Sequence, residues 1–163
     1  MWLWPLLFHY PEVPIAPHPG AFGAVRKHDV HSGVDLYAPE KAPVRAVEDG
    51  VTIAVLAFTG PEAESPWWLP TSAVLVNGRS GVVLYGEVRA KVRPGEQVEA
   101  GEVIGTVQRV LPTEARSEIP GHLPSMLHLE LYEKPMDPVW WRLGMPRPKG
   151  LLDPTTFLNE ARR

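Results

Sequence analysis

Two short stretches of this 163-residue chain hold residue types that bind metal ions. In His31-Ser32-Gly33-Val34-Asp35, an imidazole and a carboxylate stand four positions apart. Read as a strand with alternating side chains, His31 and Asp35 share one face while Val34 and Leu36 point into a core. The second stretch, Met126-Leu127-His128-Leu129-Glu130-Leu131-Tyr132, alternates strictly. Leu127, Leu129 and Leu131 make an apolar face, and Met126, His128, Glu130 and Tyr132 project from the other. Each stretch alone also fits a plainer role, a histidine and a carboxylate decorating the outside of a strand. An imidazole and a carboxylate on one surface are also the beginning of a zinc site, and His128 is a further candidate ligand.

The elements that must carry these residues read as short strands. The chain has 19 prolines and 14 glycines, about a fifth of its length against a typical ~12%, which suits strands joined by turns better than a helical bundle. Residues 9–23 form an extended, proline-rich lead-in. Strands are expected at 34–37, 44–47 and 51–58, the last two hinged at Asp49-Gly50, a strong hairpin signal. Residues 73–76 and 82–88 pair across 77–81, and the glycine rhythm of 92–107 is that of a small barrel or sandwich. A polar loop at 109–125 leads to the strand 126–132. Residues 134–150 are proline-rich. The end is helical, with Asp153 as N-cap, Pro154 in the first turn, and Phe157 and Leu158 toward the core.

Composition removes several function classes. There are no cysteines, so a disulfide scaffold, a thiol nucleophile and Cys-ligated metal are excluded. The net charge of −3 offers no footprint for nucleic acid. No run approaches the ~18 apolar residues of a membrane span. Residues 1–8 are apolar but lack a basic flank and a cleavage site, so the expectation is a cytoplasmic protein, or one of the cell envelope or exterior if a leader is missing.

The order of these pieces resembles the LytM/lysostaphin-type zinc metallopeptidases, enzymes that cut glycyl-glycine and other peptide bonds of peptidoglycan. The likeness runs over about residues 20–133. It is carried by His31 through Pro39, by Ala42 through Val51, by Val82-Val83-Leu84-Tyr85-Gly86, by Val92-x2-Gly95-x2-Val98-x2-Gly101-x2-Ile104-Gly105, and by Leu127 through Leu131. It implies an all-β fold, a small antiparallel sandwich or barrel-like core with a duplicated hybrid motif, long loops and a short C-terminal helix. The length suits one domain over 1–163, in which the resemblance marks 20–133 as the metallopeptidase-like core and leaves 134–163 as a Pro/Trp-rich extension and C-terminal helix. The resemblance further implies Zn2+ held by His31, Asp35 and His128, with a peptidoglycan or peptide substrate.

Two positions depart from that family's pattern. Its last motif is His-x-His, and here Met126, which cannot accept a proton, stands first. A further family histidine, shortly after the tyrosine of the central strand, is replaced by Glu87. Two residues are candidates to take over proton transfer. Glu87 is expected to share a strand face with Tyr85, and a glutamate base beside zinc is a working arrangement; its alternative is an exposed charge or a partner of a ligand histidine. His122, in the loop before the zinc-bearing strand, is the other; His28 lies near the site in sequence. Tyr85, Trp67 and Trp68 are candidate substrate contacts, with aromatic plugging the alternative for both tryptophan pairs, 67–68 and 140–141.

The lead reading is therefore a zinc metalloendopeptidase, and the alternative is a catalytically inactive zinc-bearing module that binds peptide, glycan or a partner. A non-haem iron triad is disfavoured because its first histidine and carboxylate usually stand one residue apart. A lipoyl-type carrier is disfavoured because no lysine occupies a hairpin tip.

Overall fold

In the computed structural model, which describes residues 1–112 and 123–163, the strands are β1 (Val34–Tyr37), β2 (Pro43–Arg45), β3 (Gly50–Thr59), β4 (Thr71–Gly78), β5 (Gly81–Ala90), β6 (Gln97–Val98), β7 (Val103–Val107), β8 (Met126–Tyr132) and β9 (Leu151–Leu152). Among the described residues, one helix of more than a single turn, α1 (Thr155–Arg162), follows the strands. All pairings are antiparallel, in the order β1-β8-β5-β4-β3-β6, with β7 joining β5 to β2 and β9 beside β8. The fold is all-β as expected, and the sheet is not closed into a barrel. Among the described residues no helix is long and apolar enough to cross a membrane.

Alternation decides which face of the sheet is dry. Leu127, Leu129 and Leu131 of β8 join Val83 and Tyr85 of β5 and Val74 and Val76 of β4 in the main core, which Val44, Ile104 and Val107 cover from β2 and β7. Trp2, Trp4, Leu6 and Leu158 complete this core from the two ends of the chain. A smaller cluster on the opposite face gathers Leu75, Leu84 and Tyr132, with Phe58 and Trp141 packed against it. Trp141 thus plugs this face as one reading of that pair anticipated, while Trp140 stays exposed beneath the Arg142 guanidinium.

The expected hairpin at Asp49-Gly50 does not form. β2 pairs with β7 on one edge, and its other edge is taken by the N-terminal segment, through Leu3 N to Val47 O (2.8 Å), Arg45 N to Pro5 O (2.8 Å) and Leu7 N to Pro43 O (3.1 Å). No edge of β2 is left for β3, which pairs with β4 and β6 instead. Asp49 Oδ1 accepts a hydrogen bond from Ala100 N (2.7 Å). The hairpin between 73–76 and 82–88 forms as expected, with Gly78 opposite Gly81. The residue before α1 is Pro154 and not the expected Asp153, whose Oδ1 nevertheless accepts from Thr155 N (2.9 Å); Leu158 is buried as expected, whereas Phe157 is exposed and stacks on Trp2 with ring centroids 4.6 Å apart.

Strand β5 changes partners midway, a feature that shapes the site. Val82 to Gly86 pair with β8, whereas Val88 to Ala90 pair with β7. Against β4, Tyr85 faces Val74 and Val88 faces Ser72, so β5 carries one extra residue there. Glu87 stands at this bulge with φ 61, a left-handed conformation uncommon for a residue with a side chain.

Candidate metal centre

Strand register brings the carboxylate to the imidazole. Asp35 of β1 stands directly opposite His128 of β8, and Gly86 of β5 stands opposite His128 on its other side. Directly opposed antiparallel residues point to the same face with Cβ atoms ~5 Å apart, so Asp35 and His128 meet without adjustment of the backbone. Asp35 Oδ1 lies 2.9 Å from His128 Nδ1.

His31 arrives by another route than the expected strand. β1 begins at Val34, and His31 is fixed instead by its own backbone, which donates to Ala24 O (2.9 Å) and accepts from Gly23 N (2.8 Å). Its ring Nδ1 donates to Ala21 O (2.9 Å), which leaves Nε2 facing inward, 3.2 Å from His128 Nδ1 and 3.3 Å from Asp35 Oδ1. His31, Asp35 and His128 are all buried. They form a group able to hold a metal ion among the described residues. A tetrahedral zinc with bonds of ~2.0–2.1 Å needs ligand atoms ~3.3–3.4 Å apart, close to the spacings seen here.

The second oxygen of Asp35 is occupied. Arg26 Nη2 lies 3.2 Å from Asp35 Oδ2 and also donates to Pro19 O (2.9 Å), so only Oδ1 faces the imidazoles. Burial works against a charged Asp35, but the imidazoles of His31 and His128 hold its carboxyl far below the usual carboxylate range. Burial likewise opposes a charged His128, yet its hydrogen bonds to Asp35 and Glu130 win and raise it to about 10. Behind His128, Nε2 lies 2.8 Å from Glu130 Oε1. Phe58 covers the ring, with centroids 5.3 Å apart. Gly86 permits that approach, because a Cβ there would lie 2.8 Å from the Phe58 ring.

Glu87 reaches this face through the bulge and not through shared alternation with Tyr85. Its Oε2 is shielded from solvent and has no hydrogen-bond partner among the described residues. Burial, with the negative charge of Asp35 adding to it, pushes its carboxyl up to about 8 against the pull of His128 and Arg26. Tyr85 lies on the opposite, core face, 1% exposed, with its hydroxyl accepting from Val47 N (2.9 Å). The expectation of Tyr85 as a substrate contact is thereby corrected: a tyrosine sealed in the core has no surface to offer. Met126, opposite Tyr37 in the ladder, is half-buried on the face that carries His128.

Trp67 and Trp68 are exposed on the loop between β3 and β4, in edge-to-face contact with centroids 6.0 Å apart. His122 lies outside the described residues. His28 is exposed. Sequence reasoning passed over Arg26 and Phe58. Arg26 sits in a charged turn with no periodicity to mark it, and Phe58 occupies an ordinary strand position whose tilted contact with the His128 ring depends on a missing side chain at Gly86.

The family model described as Peptidase family M23 matches residues 29–138. Among solved structures, the chain is similar to a zinc-containing peptidase from Vibrio cholerae, at 19% identity and a TM-score of 0.55, over 81% of this chain and 37% of that one. It is also similar to Helicobacter pylori Csd3, at 18% identity and a TM-score of 0.52, over 99% of this chain and 38% of that one. At these identities the likeness is one of fold, and the chain spans less than half the length of either structure. No curated protein matches the sequence.

Proposed function

This chain belongs to peptidase family M23, and on that premise we propose that it is a zinc-dependent metalloendopeptidase acting on the peptide bridges of peptidoglycan. The observation that carries the proposal is the convergence of His31 Nε2, Asp35 Oδ1 and His128 Nδ1 within 2.9–3.3 Å of one another. The donor set fits zinc: two imidazoles and one carboxylate oxygen, with the spare carboxylate oxygen withheld by Arg26. Zinc bound there supplies a Lewis acid toward a peptide carbonyl and lowers the pKa of water toward ~7.

The chain's own residues supply the rest. Peptide hydrolysis adds water across the amide, so one proton must leave the attacking water and one must reach the departing amine. Glu87 is the residue for that transfer, since its Oε2 is shielded and unpartnered; burial and the charge of Asp35 favour its protonated form, and a cation bound beside it would favour the carboxylate that accepts the proton of water. Phe58 keeps bulk water from one side of His128. Trp67 and Trp68, exposed on the loop that follows β3, offer apolar surface for an extended peptide or glycan.

The test uses the full chain, stripped of metal and then supplied with zinc. Metal content by mass spectrometry and the release of new amino groups from purified peptidoglycan are both measured. The expected result is one zinc per chain, lost in His128→Ala, with zinc-dependent hydrolysis that falls ~10²–10⁴-fold in Glu87→Ala. Zinc uptake without hydrolysis at any protein concentration would refute the peptidase reading. No zinc uptake would refute the site itself.

A further inference from the structure

We infer that Glu130 is a positioning residue of this centre, which fixes the ring of His128 and is itself held by Ser32 and Tyr132. The inference rests on the zinc reading above and assigns a task to residues that bind no metal in it. Glu130 is 3% exposed, so its carboxylate is present in the interior at a cost that only its partners offset.

Those partners are complete. Oε1 lies 2.8 Å from His128 Nε2 and accepts from Ser32 Oγ at 2.8 Å. Oε2 accepts from the Tyr132 hydroxyl in a short hydrogen bond. The Tyr132 oxygen in turn accepts from Val139 N (3.2 Å). An ionised carboxylate only accepts, so the hydrogen in the contact with His128 sits on Nε2. Without metal, Nδ1 also bears a proton toward Asp35 Oδ1; a cation that displaced that proton would find the lone pair on Nδ1, because Glu130 holds the remaining hydrogen on Nε2. Glu130 therefore selects both the tautomer and the rotation of the ring, and its charge makes the opposite nitrogen a stronger donor to a cation.

The arrangement also explains why a glutamate two residues along the same strand can do this. Side chains at alternate strand positions stand roughly 6–7 Å apart at their Cα atoms, so imidazole and carboxylate must lean together to touch. Tyr132, on the same face, pulls one carboxylate oxygen, and Ser32 pulls the other. Ser32 lies between His31 and Asp35 on the chain, so its hydroxyl ties the segment bearing two of the converging side chains to the carboxylate behind the third.

The experiment measures zinc affinity by chelator competition on the full chain and, separately, the nitrogen-bound ring protons of the zinc-loaded protein by NMR. Wild type, Glu130→Ala, Glu130→Gln and His128→Ala are compared. Glu130→Ala is expected to weaken zinc binding about 10–100-fold and to lose the slowly exchanging His128 Nε2–H signal. Glu130→Gln, whose amide oxygen still accepts from Nε2, is expected to recover part of the affinity and to keep the signal. Wild-type affinity with an unchanged Nε2–H signal in Glu130→Ala would overturn the inference. Should Glu130→Ala fail to fold, a Glu130→Gln protein with wild-type affinity and a lost signal would overturn it equally. Zinc retained in His128→Ala would instead defeat the zinc reading, an outcome separate from either result at Glu130.

Discussion

Replacing Glu87 by glutamine should stabilise the metal-free protein at alkaline pH and leave it unchanged in acid. The carboxyl titrates ordinarily at 4.5, and burial carries it to about 8 in the fold. Below the unfolded value both states hold the proton and the residue carries no penalty. Between 4.5 and about 8 the folded state holds a proton that the unfolded chain has released, so stability falls as pH rises. Above that window the folded state must bury a charge, and the penalty is complete. The span sets a ceiling of about 5 kcal/mol. Solvent reaching this partly exposed residue reduces it, and an effect of about 2 kcal/mol is expected. For a chain of this size that corresponds to a Tm gain of roughly 4–8 °C for Glu87→Gln near pH 9. The assay is thermal unfolding of both proteins in chelator at intervals from about pH 4 to 9, followed by wild type with zinc. A cation beside the carboxyl favours its charged form, so zinc should remove most of the difference. A difference that stays flat with pH, or a glutamine variant that is less stable near pH 9, would refute the assignment of Glu87 Oε2 to a shielded, unpartnered position.

Two other substitutions separate the core from the site. Tyr85→Phe leaves Val47 N–H without its 2.9 Å acceptor in the interior, so unfolding in denaturant should show a loss of about 1–3 kcal/mol while zinc affinity stays at the wild-type value. Gly33→Ala would put a Cβ 2.5 Å from Leu129 O and 2.9 Å from the ring of His128; a loss of about 1–3 kcal/mol and weaker zinc binding are expected together, by denaturant unfolding and chelator competition.

Residue chemistry, a local property, marked His31, Asp35 and His128 one by one; their grouping came from the family resemblance, and His31 lies outside the strand that alternation assigned to it. The same alternation marked β8 to its residue limits, since its leucines can satisfy only one buried face. It assigned Glu87 to the wrong face, however. A bulge is created by pairing, and β5 bulges where it leaves β8 for β7, a fact that resides in three strands at once. Asp49-Gly50 failed as a hairpin for a related reason. Turn propensity acts over a few residues, whereas the edge of β2 that a hairpin needs is occupied by a segment some forty positions earlier in the chain.

By itself, then, the sequence determined which residues have metal-binding chemistry, which strand faces are apolar, and that the protein is built from antiparallel strands. Tertiary structure decided the rest. Register set Asp35 against His128, backbone contacts at Ala24 and Gly23 turned His31 inward, and a change of strand partner swung Glu87 toward them. Chemistry and amphipathicity are written in each residue and its near neighbours, while distances between side chains depend on hydrogen bonds formed between strands nearly a hundred residues apart.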